Sequence, residues 1–134
     1  MQISKRPITK LALTNQGALD LVFLGVGSGF SKTLNQTNLF IVKDQTHLLI
    51  DCGNQCPHSL FHDYNTPLTD IDNFLITHSH ADHIGGLEEA QLAGRYVKKR
   101  KPTMIITPAY EKILWEQSLR GGAEAAEAVP LKFK

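Results

Sequence analysis

The first half of the chain alternates short apolar runs with polar or glycine-rich breaks, which is typical of β-strands joined by tight turns. Residues 21–24 form an apolar run that stops at the glycines of segment 25–29, so we predict a buried strand that enters a loop. Residues 38–42 and 47–50 are separated by four polar residues, and this spacing predicts an antiparallel hairpin.

In the second half, strand patterns alternate with helical ones. The pattern predicts, in order, a helix over 57–64, a strand over 73–77, a helix from Ile84, a strand over 104–106 and a helix that begins at Thr107 and Pro108. In the helix from Ile84, the near-helical spacing predicts a buried face of Leu87, Ala90 and Val97. In the last helix we expect a buried face of Tyr110, Ile113 and Leu114. This alternation indicates the α/β class.

Length and composition predict one soluble domain. The 134 residues, 42% hydrophobic and 20% charged, are sufficient for a single core, and a net charge of +1 gives no reason to expect a surface that binds polyanions. The basic run 98–101 is interpreted as a solvated helix end, with a phosphate contact as the alternative. No apolar segment suits a membrane span or a secretory signal, so the expected compartment is the cytoplasm.

Two cysteines, Cys52 and Cys56, are too few for a disulfide framework and are expected to be reduced thiols. Together with His58 and His62 they could mimic a zinc knuckle, but the step from Cys56 to His58 is shorter than the spacings of structural zinc sites. The favoured interpretation is that both histidines are polar positions on a short helix.

The candidate chemistry lies in six consecutive residues that follow the strand over 73–77. His78, His80, Asp82 and His83 offer three imidazoles and one carboxylate, which suit zinc and its neighbours manganese and iron. Histidines two residues apart can aim at one ion, whereas the last two side chains are displaced enough to reach a second. Two such ions can share an activated hydroxide, so the expected reaction is hydrolysis.

Neighbouring residues add weaker predictions. Gly85 and Gly86 allow the backbone to pass close to the site, and the positive end of a helix starting there would favour a phosphate or a carboxylate. Asp51 either caps a turn at its strand end or orients a ligand histidine. The glycine loop 25–29 lacks the full dinucleotide fingerprint and has no lysine in P-loop register, so alone it is weak evidence for nucleotide binding.

The six-residue motif with Gly85 and Gly86 is preceded by Leu24 with the glycine loop 25–29 and by residues 51–53. Together these segments resemble the metallo-β-lactamase fold superfamily. Within it, the glycine loop, Asn38 at a strand start and the Asp-Cys-Gly step resemble the tRNA 3′-processing endonucleases and the related cyclic-nucleotide phosphodiesterases. The resemblance covers residues 20–122 and implies the N-terminal half of an αββα sandwich. We therefore expect a single incomplete domain with an N-terminal edge segment (1–19) and a tail (123–134).

The resemblance also implies roles for the motif. His78 and His80 would bind the first of two zinc ions, and Asp82 and His83 the second, with Asp82 also orienting the hydroxide or handling a proton as the catalytic residue. The family pattern requires a later histidine, a bridging aspartate and a last histidine, yet residues 84–134 contain no histidine, aspartate or cysteine. Without its second half, the sheet would expose an apolar face and an open edge.

Three hypotheses follow from these observations. The first is a zinc-dependent hydrolase of phosphodiester bonds, in RNA or a cyclic nucleotide, represented here by the N-terminal part of its domain. The second is a non-catalytic metal-binding or interaction module that needs a partner chain or a second copy, whose His47, His58 or His62 could complete a site. The third retains the hydrolase but has a thioester, lactone or lactam as substrate.

Overall fold

A computed structural model of the protein describes residues 9–124 and contains a five-stranded mixed sheet. The strands run in the spatial order of the sequence and are β1 (Leu19–Gly25), β2 (Asn38–Lys43), β3 (Thr46–Ile50), β4 (Asn73–Leu75) and β5 (Thr103–Ile105). The first three strands pair antiparallel, whereas β3, β4 and β5 pair parallel. The predicted hairpin is confirmed, with Lys43 opposite Thr46 across its turn.

Helices and short helical turns connect and cover the strands. They are α1 (Cys56–Tyr64), α2 (Ala81–Ile84), α3 (Leu87–Ala93), α4 (Pro108–Leu114) and α5 (Arg120–Ala123), with a 3₁₀ turn at Leu68–Asp70 and wide π turns at Gly94–Lys98 and Trp115–Leu119. Among residues 9–124, no helix has the length and apolar character needed to cross a bilayer. In the predicted edge segment, residues 9–18 form no strand and Leu19 is the first residue of β1, while residues 1–8 lie outside the described residues, as does most of the predicted tail.

The last predicted helix begins as expected, because Thr107 is its N-cap and its side chain accepts a hydrogen bond from the backbone N–H of Tyr110. The continuous helix predicted from Ile84 is wrong, since Gly85 and Gly86 separate α2 from α3. Val97 is 71% exposed because it lies in a π turn, which shifts the helical period. Ile113 is 46% exposed, whereas its neighbours Leu114 and Trp115 are buried instead.

The core lies between one face of the sheet and the helices. The fully buried side chains include Phe40 and Leu49 from the hairpin, Phe74 from β4, and Leu60, Leu87 and Leu114 from three helices. Each such side chain contributes about 1.5–3 kcal/mol when it is removed from water. This core packs against β3 and β4 through Leu49 and Phe74, and the segments that leave the carboxyl ends of these strands carry the predicted site.

The opposite face of the sheet is also apolar, but it remains accessible at its edges. Leu19, Leu21 and Phe23 alternate along β1 and are 64, 53 and 56% exposed. Leu21 lies opposite Ile41 in the register of β1 and β2, so the apolar character continues into the sheet. This second face fits one half of a sandwich of two sheets, the architecture expected from the sequence.

Candidate metal centre

The site is built where two parallel strands end at the same edge of the sheet. Ile50 of β3 lies beside Leu75 of β4, and the N–H of Asp51 donates to the carbonyl of Leu75 at 2.8 Å. Asp51 therefore stands next to the segment that leads from β4 into the histidine motif. Its φ of 61° lies in the left-handed region, which costs a non-glycine residue energy and persists only where contacts hold it.

The carboxylate of Asp51 provides those contacts. One oxygen accepts a hydrogen bond from the backbone N–H of Thr77 at 2.8 Å, and the other lies 2.7 Å from Nδ1 of His83. The hydroxyl of Thr77 lies 3.0 and 2.8 Å from the two carboxylate oxygens. The side chain of Asp51 is only 7% exposed, so its charged end of these part-buried bonds is shielded from water, which strengthens them.

This network selects the tautomers of two histidines. His83 donates its Nδ1 proton to the carboxylate of Asp51, which leaves the Nε2 lone pair available. Thr77 donates its single hydroxyl proton to Asp51, so Nδ1 of His78, 2.9 Å from that hydroxyl, must be the donor to it. In both imidazoles Nε2 is then unprotonated, and this is the tautomer that can bind a metal ion through Nε2.

The motif side chains fall into two contacting pairs. Nε2 of His78 lies 3.0 Å from Nδ1 of His80, and Nε2 of His83 lies 3.4 Å from a carboxylate oxygen of Asp82. The pairs adjoin, since the rings of His78 and His83 have their centroids 3.9 Å apart. The four predicted ligand residues are thus brought together at one end of the sheet.

The donor chemistry fits zinc in part. Two nitrogens about 3 Å apart suit adjacent positions of a tetrahedral zinc ion with bonds of about 2.0–2.1 Å. However, within residues 9–124 no three histidine, cysteine, aspartate or glutamate side chains converge as a metal-binding group. The described residues therefore offer two partial coordination sets rather than one complete centre.

Close backbone packing fixes the motif beneath its side chains. The N–H of Cys52 donates to the carbonyl of His83 at 2.7 Å, and that of Gly86 donates to the carbonyl of Cys52 at 2.8 Å. Gly53 packs so tightly that a Cβ there would lie 2.1 Å from the carbonyl oxygen of Asp82. The buried amide of Asn38 accepts a hydrogen bond from the N–H of Gly53 at 3.0 Å, which ties this turn to β2.

The glycine loop closes over the second pair. A Cβ at Gly29 would meet the carboxylate of Asp82 at 2.8 Å, so a side chain at this position would displace that carboxylate. The next residue, Phe30, is 89% exposed. The loop therefore shields Asp82 on one side and places an exposed aromatic ring one residue from the contact.

Two residues contribute to the site in ways that the sequence pattern does not predict. The pattern predicts only a strand position for Thr77, and the one local indication of its role is a hydroxyl directly before the first histidine. It predicts a core position for Tyr110, whose hydroxyl lies 2.6 Å from that of Ser79, between His78 and His80. This contact links the motif to α4, which the sequence places 25 residues further on.

The zinc-knuckle alternative is wrong for the described residues, which contain no such metal-binding group. Cys52 and Cys56 are buried thiols, and the hydrogen bond between them, together with burial, raises the pKa of Cys52 well above its usual value. His58 and His62 point outward from α1, as the favoured interpretation expected.

The fold and the motif together define the class of protein. Human tRNase Z, short form, superposes on 84% of this chain and 42% of its own with a TM-score of 0.59 and 21% sequence identity. The metallo-β-lactamase fold protein YhfI from Bacillus subtilis covers 65% of this chain and 35% of its own, with a TM-score of 0.53 and 25% identity. The chain is therefore an α/β protein of the metallo-β-lactamase fold, as the sequence predicted.

Sequence comparison gives the family. The family model of the anti-Pycsar protein Apyc1 matches residues 19–134, and the chain belongs to this family. Apyc1 of Bacillus phage BSP38 is 46% identical over 101 residues, covering 74% of this chain and 39% of that protein. Apyc1 of Paenibacillus xerothermodurans is 39% identical over 107 residues, covering 80% and 42%. The chain thus spans about two fifths of the length of these relatives.

Proposed function

We propose that this chain supplies four metal ligands of a zinc-dependent phosphodiesterase that hydrolyses cyclic nucleotides. The observation that carries the proposal is the Asp51–Thr77 network, which leaves Nε2 of His78 and His83 bare beside His80 and Asp82. Membership in the Apyc1 family supports a cyclic nucleotide as the substrate. The likeness to tRNase Z supports the fold alone, so processing of RNA 3′ ends is the weaker alternative.

In this proposal His78 and His80 hold one zinc ion, and Asp82 and His83 hold the other. The bound ions would supply an activated hydroxide and stabilise charge on the phosphate during hydrolysis. Asp51 and Thr77 keep the imidazoles in the tautomers that bind metal. Asp82, whose Oδ2 faces His83, would take the proton of the attacking water on the carboxylate oxygen that is not bound to metal, and the glycine loop covers one side of that carboxylate.

A complete centre needs further ligands, because the motif fills each metal position only in part and residues 84–134 contain no further histidine, aspartate or cysteine. We propose that they come from a second copy of the chain or from a segment corresponding to the unmatched part of the relatives. The accessible apolar face of the sheet, with Leu19, Leu21 and Phe23 on β1, is where such a segment would pack.

A second candidate is a metal-binding module without catalysis. The observation that favours it is that no three ligands converge within residues 9–124, which leaves each metal position half filled by this chain. Such a module would bind zinc weakly and hydrolyse nothing. A thioester, lactone or lactam substrate is the third candidate, and the motif alone does not distinguish it from a phosphodiester.

The test combines zinc content, native mass and hydrolysis on the untagged protein. Cyclic purine and pyrimidine nucleotides, a model thioester and a lactone are incubated with zinc-loaded protein, and products are separated by chromatography. The matched control is the double variant His78→Ala, His80→Ala. Loss of tightly bound zinc in the control, with hydrolysis of a cyclic nucleotide by a zinc-loaded oligomer, supports the enzyme. Zinc without hydrolysis supports the module, and the absence of zinc overturns both.

A further inference from the structure

Two histidines outside the candidate metal centre lie side by side on α1. His58 and His62 are one helical turn apart, and their ring centroids are separated by 4.2 Å with an angle of 37° between the rings. Both side chains are exposed to solvent. We propose that this pair is a second, independent site for a late first-row divalent ion such as Ni²⁺, Cu²⁺ or Zn²⁺.

The spacing suits chelation. Side chains four residues apart on a helix are neighbours, with Cβ atoms about 5–6 Å apart, so two imidazoles can turn toward one ion. Imidazole nitrogen is a preferred ligand of copper, nickel and zinc. Because both rings already lie in solvent, binding does not require a buried charge, and the ion retains water in its remaining positions.

The helix that carries the pair is firmly held. Its inner face buries Cys56, Ser59 and Leu60 in the core. At its C-terminus the N–H of Asn65 donates to the carbonyl of Leu60. The hydroxyl of Tyr64 also donates to a carbonyl of β1, that of Phe23, at 3.1 Å. The two histidines are therefore presented by a pre-organised scaffold, which lowers the entropic cost of closing a chelate.

The nearest acidic side chain on α1 has another partner. The carboxylate of Asp63 accepts a hydrogen bond from the amide of Asn35 at 2.7 Å, and in residues 9–124 no third ligand joins the two histidines in a metal-binding group. The site is thus a two-histidine chelate. It should be weaker than a completed zinc centre, and it should depend on both imidazoles.

The experiment measures metal binding to the untagged protein. Isothermal titration with Ni²⁺ is run on the double variant His78→Ala, His80→Ala, which weakens the other centre, and then on the same variant with His62→Ala added. We expect the first protein to bind about one Ni²⁺ per chain at α1, and the added change to weaken that binding at least tenfold, since even outer partners of metal ligands are worth 10–100-fold.

A spacing control keeps the number of histidines constant. His62→Ala combined with Asp63→His moves the second imidazole to the fifth position after His58, on another side of the helix, and should bind as weakly as His62→Ala alone. Broadening of the amide NMR signals of residues 58–62 by Cu²⁺ identifies the location directly. Equal affinity in the spacing control, or broadening confined to residues 78–83, overturns the proposal, whichever result the hydrolysis test gives.

Discussion

The two ends of the β3–β4 pair each bring a histidine and an aspartate together, and the comparison shows what makes one end a candidate site. At the carboxyl end, the carboxylate of Asp51 lies 2.7 Å from Nδ1 of His83. At the amino end, Nε2 of His47 accepts a hydrogen bond from the backbone N–H of Asp72 at 3.0 Å. The residue types are the same, but the nitrogen that is used differs.

The partners of the two aspartates also differ. The carboxylate of Asp72 pairs with Arg100 and lies 3.6 Å from Nζ of Lys98, so its charge is balanced by the predicted basic run. His47 is buried and its ring stacks on Phe40 with centroids 5.5 Å apart. This end is closed, because its donors and acceptors are used within the fold. At the other end, Nε2 of His83 lies 3.4 Å from a carboxylate oxygen of Asp82, next to the ring of His78.

Replacing Asp51 should cause the largest loss of zinc affinity, because Asp51 distinguishes the carboxyl end of the β3–β4 pair from the amino end. Asp51→Asn can keep the left-handed backbone, which asparagine tolerates, but it removes the charge that holds His83 and Thr77. We expect zinc affinity to fall about 10–100-fold, as for other partners of ligand histidines, with a small change in the free energy of unfolding. Titration with zinc and denaturation with urea measure the two quantities.

Asp51→Ala is the companion variant. It should lose the same zinc affinity and also about 1–3 kcal/mol of stability, because buried donors are left unpaired. If Asp51→Asn bound zinc as tightly as the natural protein, the carboxylate would be no more important at this end than that of Asp72 at the other.

Thr77 offers a sharper test of the tautomer argument. Thr77→Val preserves the shape of the side chain but removes the hydroxyl between Asp51 and His78, so His78 is no longer held with Nε2 bare. We expect about a tenfold loss of zinc affinity, the lower end of the range for such partners. Thr77→Ser retains the hydroxyl and should restore most of the affinity. Equal affinities of the valine and serine variants would contradict this role.

The parts of this site that could be predicted from sequence are those set by residues close together in the chain. The strand runs, the glycine breaks and the spacing of His78, His80, Asp82 and His83 depend on local patterns. The partnership of Asp51 with Thr77 depends on the parallel register of β3 and β4, which no local pattern specifies. For Asp51 the sequence therefore left two roles open.

Elsewhere, the tertiary structure departs from what the local sequence pattern predicts. Val97 follows the expected period in the sequence, but the π turn at Gly94–Lys98 rotates it into solvent. The contact of Tyr110 with Ser79 joins residues 31 positions apart and requires β5 to lie beside β4. Helical periodicity could place Tyr110 on a face of α4 but could not identify the neighbour of its hydroxyl.

The amino end of the β3–β4 pair, where His47 is buried, should make the stability of the protein depend on pH. Burial lowers the pKa of His47 below 6.5, although the nearby charge of Asp72 opposes this shift. The unfolded chain therefore binds more protons than the folded protein near that pH, so stability falls as the pH drops from about 6.5 toward the folded pKa. Lys98 and Arg100 add to the lowering.

Urea denaturation across this pH range gives the measurement, with His47→Gln as the control. Glutamine lacks the titrating ring, so its stability should vary less with acid than that of the natural protein. The other histidines are present in both proteins, and their effect cancels in the difference. Parallel pH profiles for the two proteins would mean that the amino end of the β3–β4 pair is not closed around a neutral imidazole.

The smallest effect is expected from replacing Tyr110, which contacts the motif at the carboxyl end of the β3–β4 pair from α4. Tyr110→Phe removes only the hydroxyl that lies 2.6 Å from Ser79, a contact in an exposed position. A hydrogen bond contributes about 0.5–1.5 kcal/mol net, and exposure favours the lower value. If the contact orders the segment between His78 and His80, this energy should appear as a two- to threefold loss of zinc affinity rather than as lost stability.

Ser79→Ala should have the same effect, and the double variant should be no worse than either single one, because both remove a single contact. Additive losses would instead mean that the two hydroxyls act independently on the motif. A Co²⁺-loaded sample gives a further test, since a visible spectrum that shifts in both single variants would report altered geometry at the ligands themselves. An unchanged spectrum and affinity would mean that Tyr110 serves only to pack α4. The motif at the carboxyl end of the β3–β4 pair would then depend on its contacts with the strands alone.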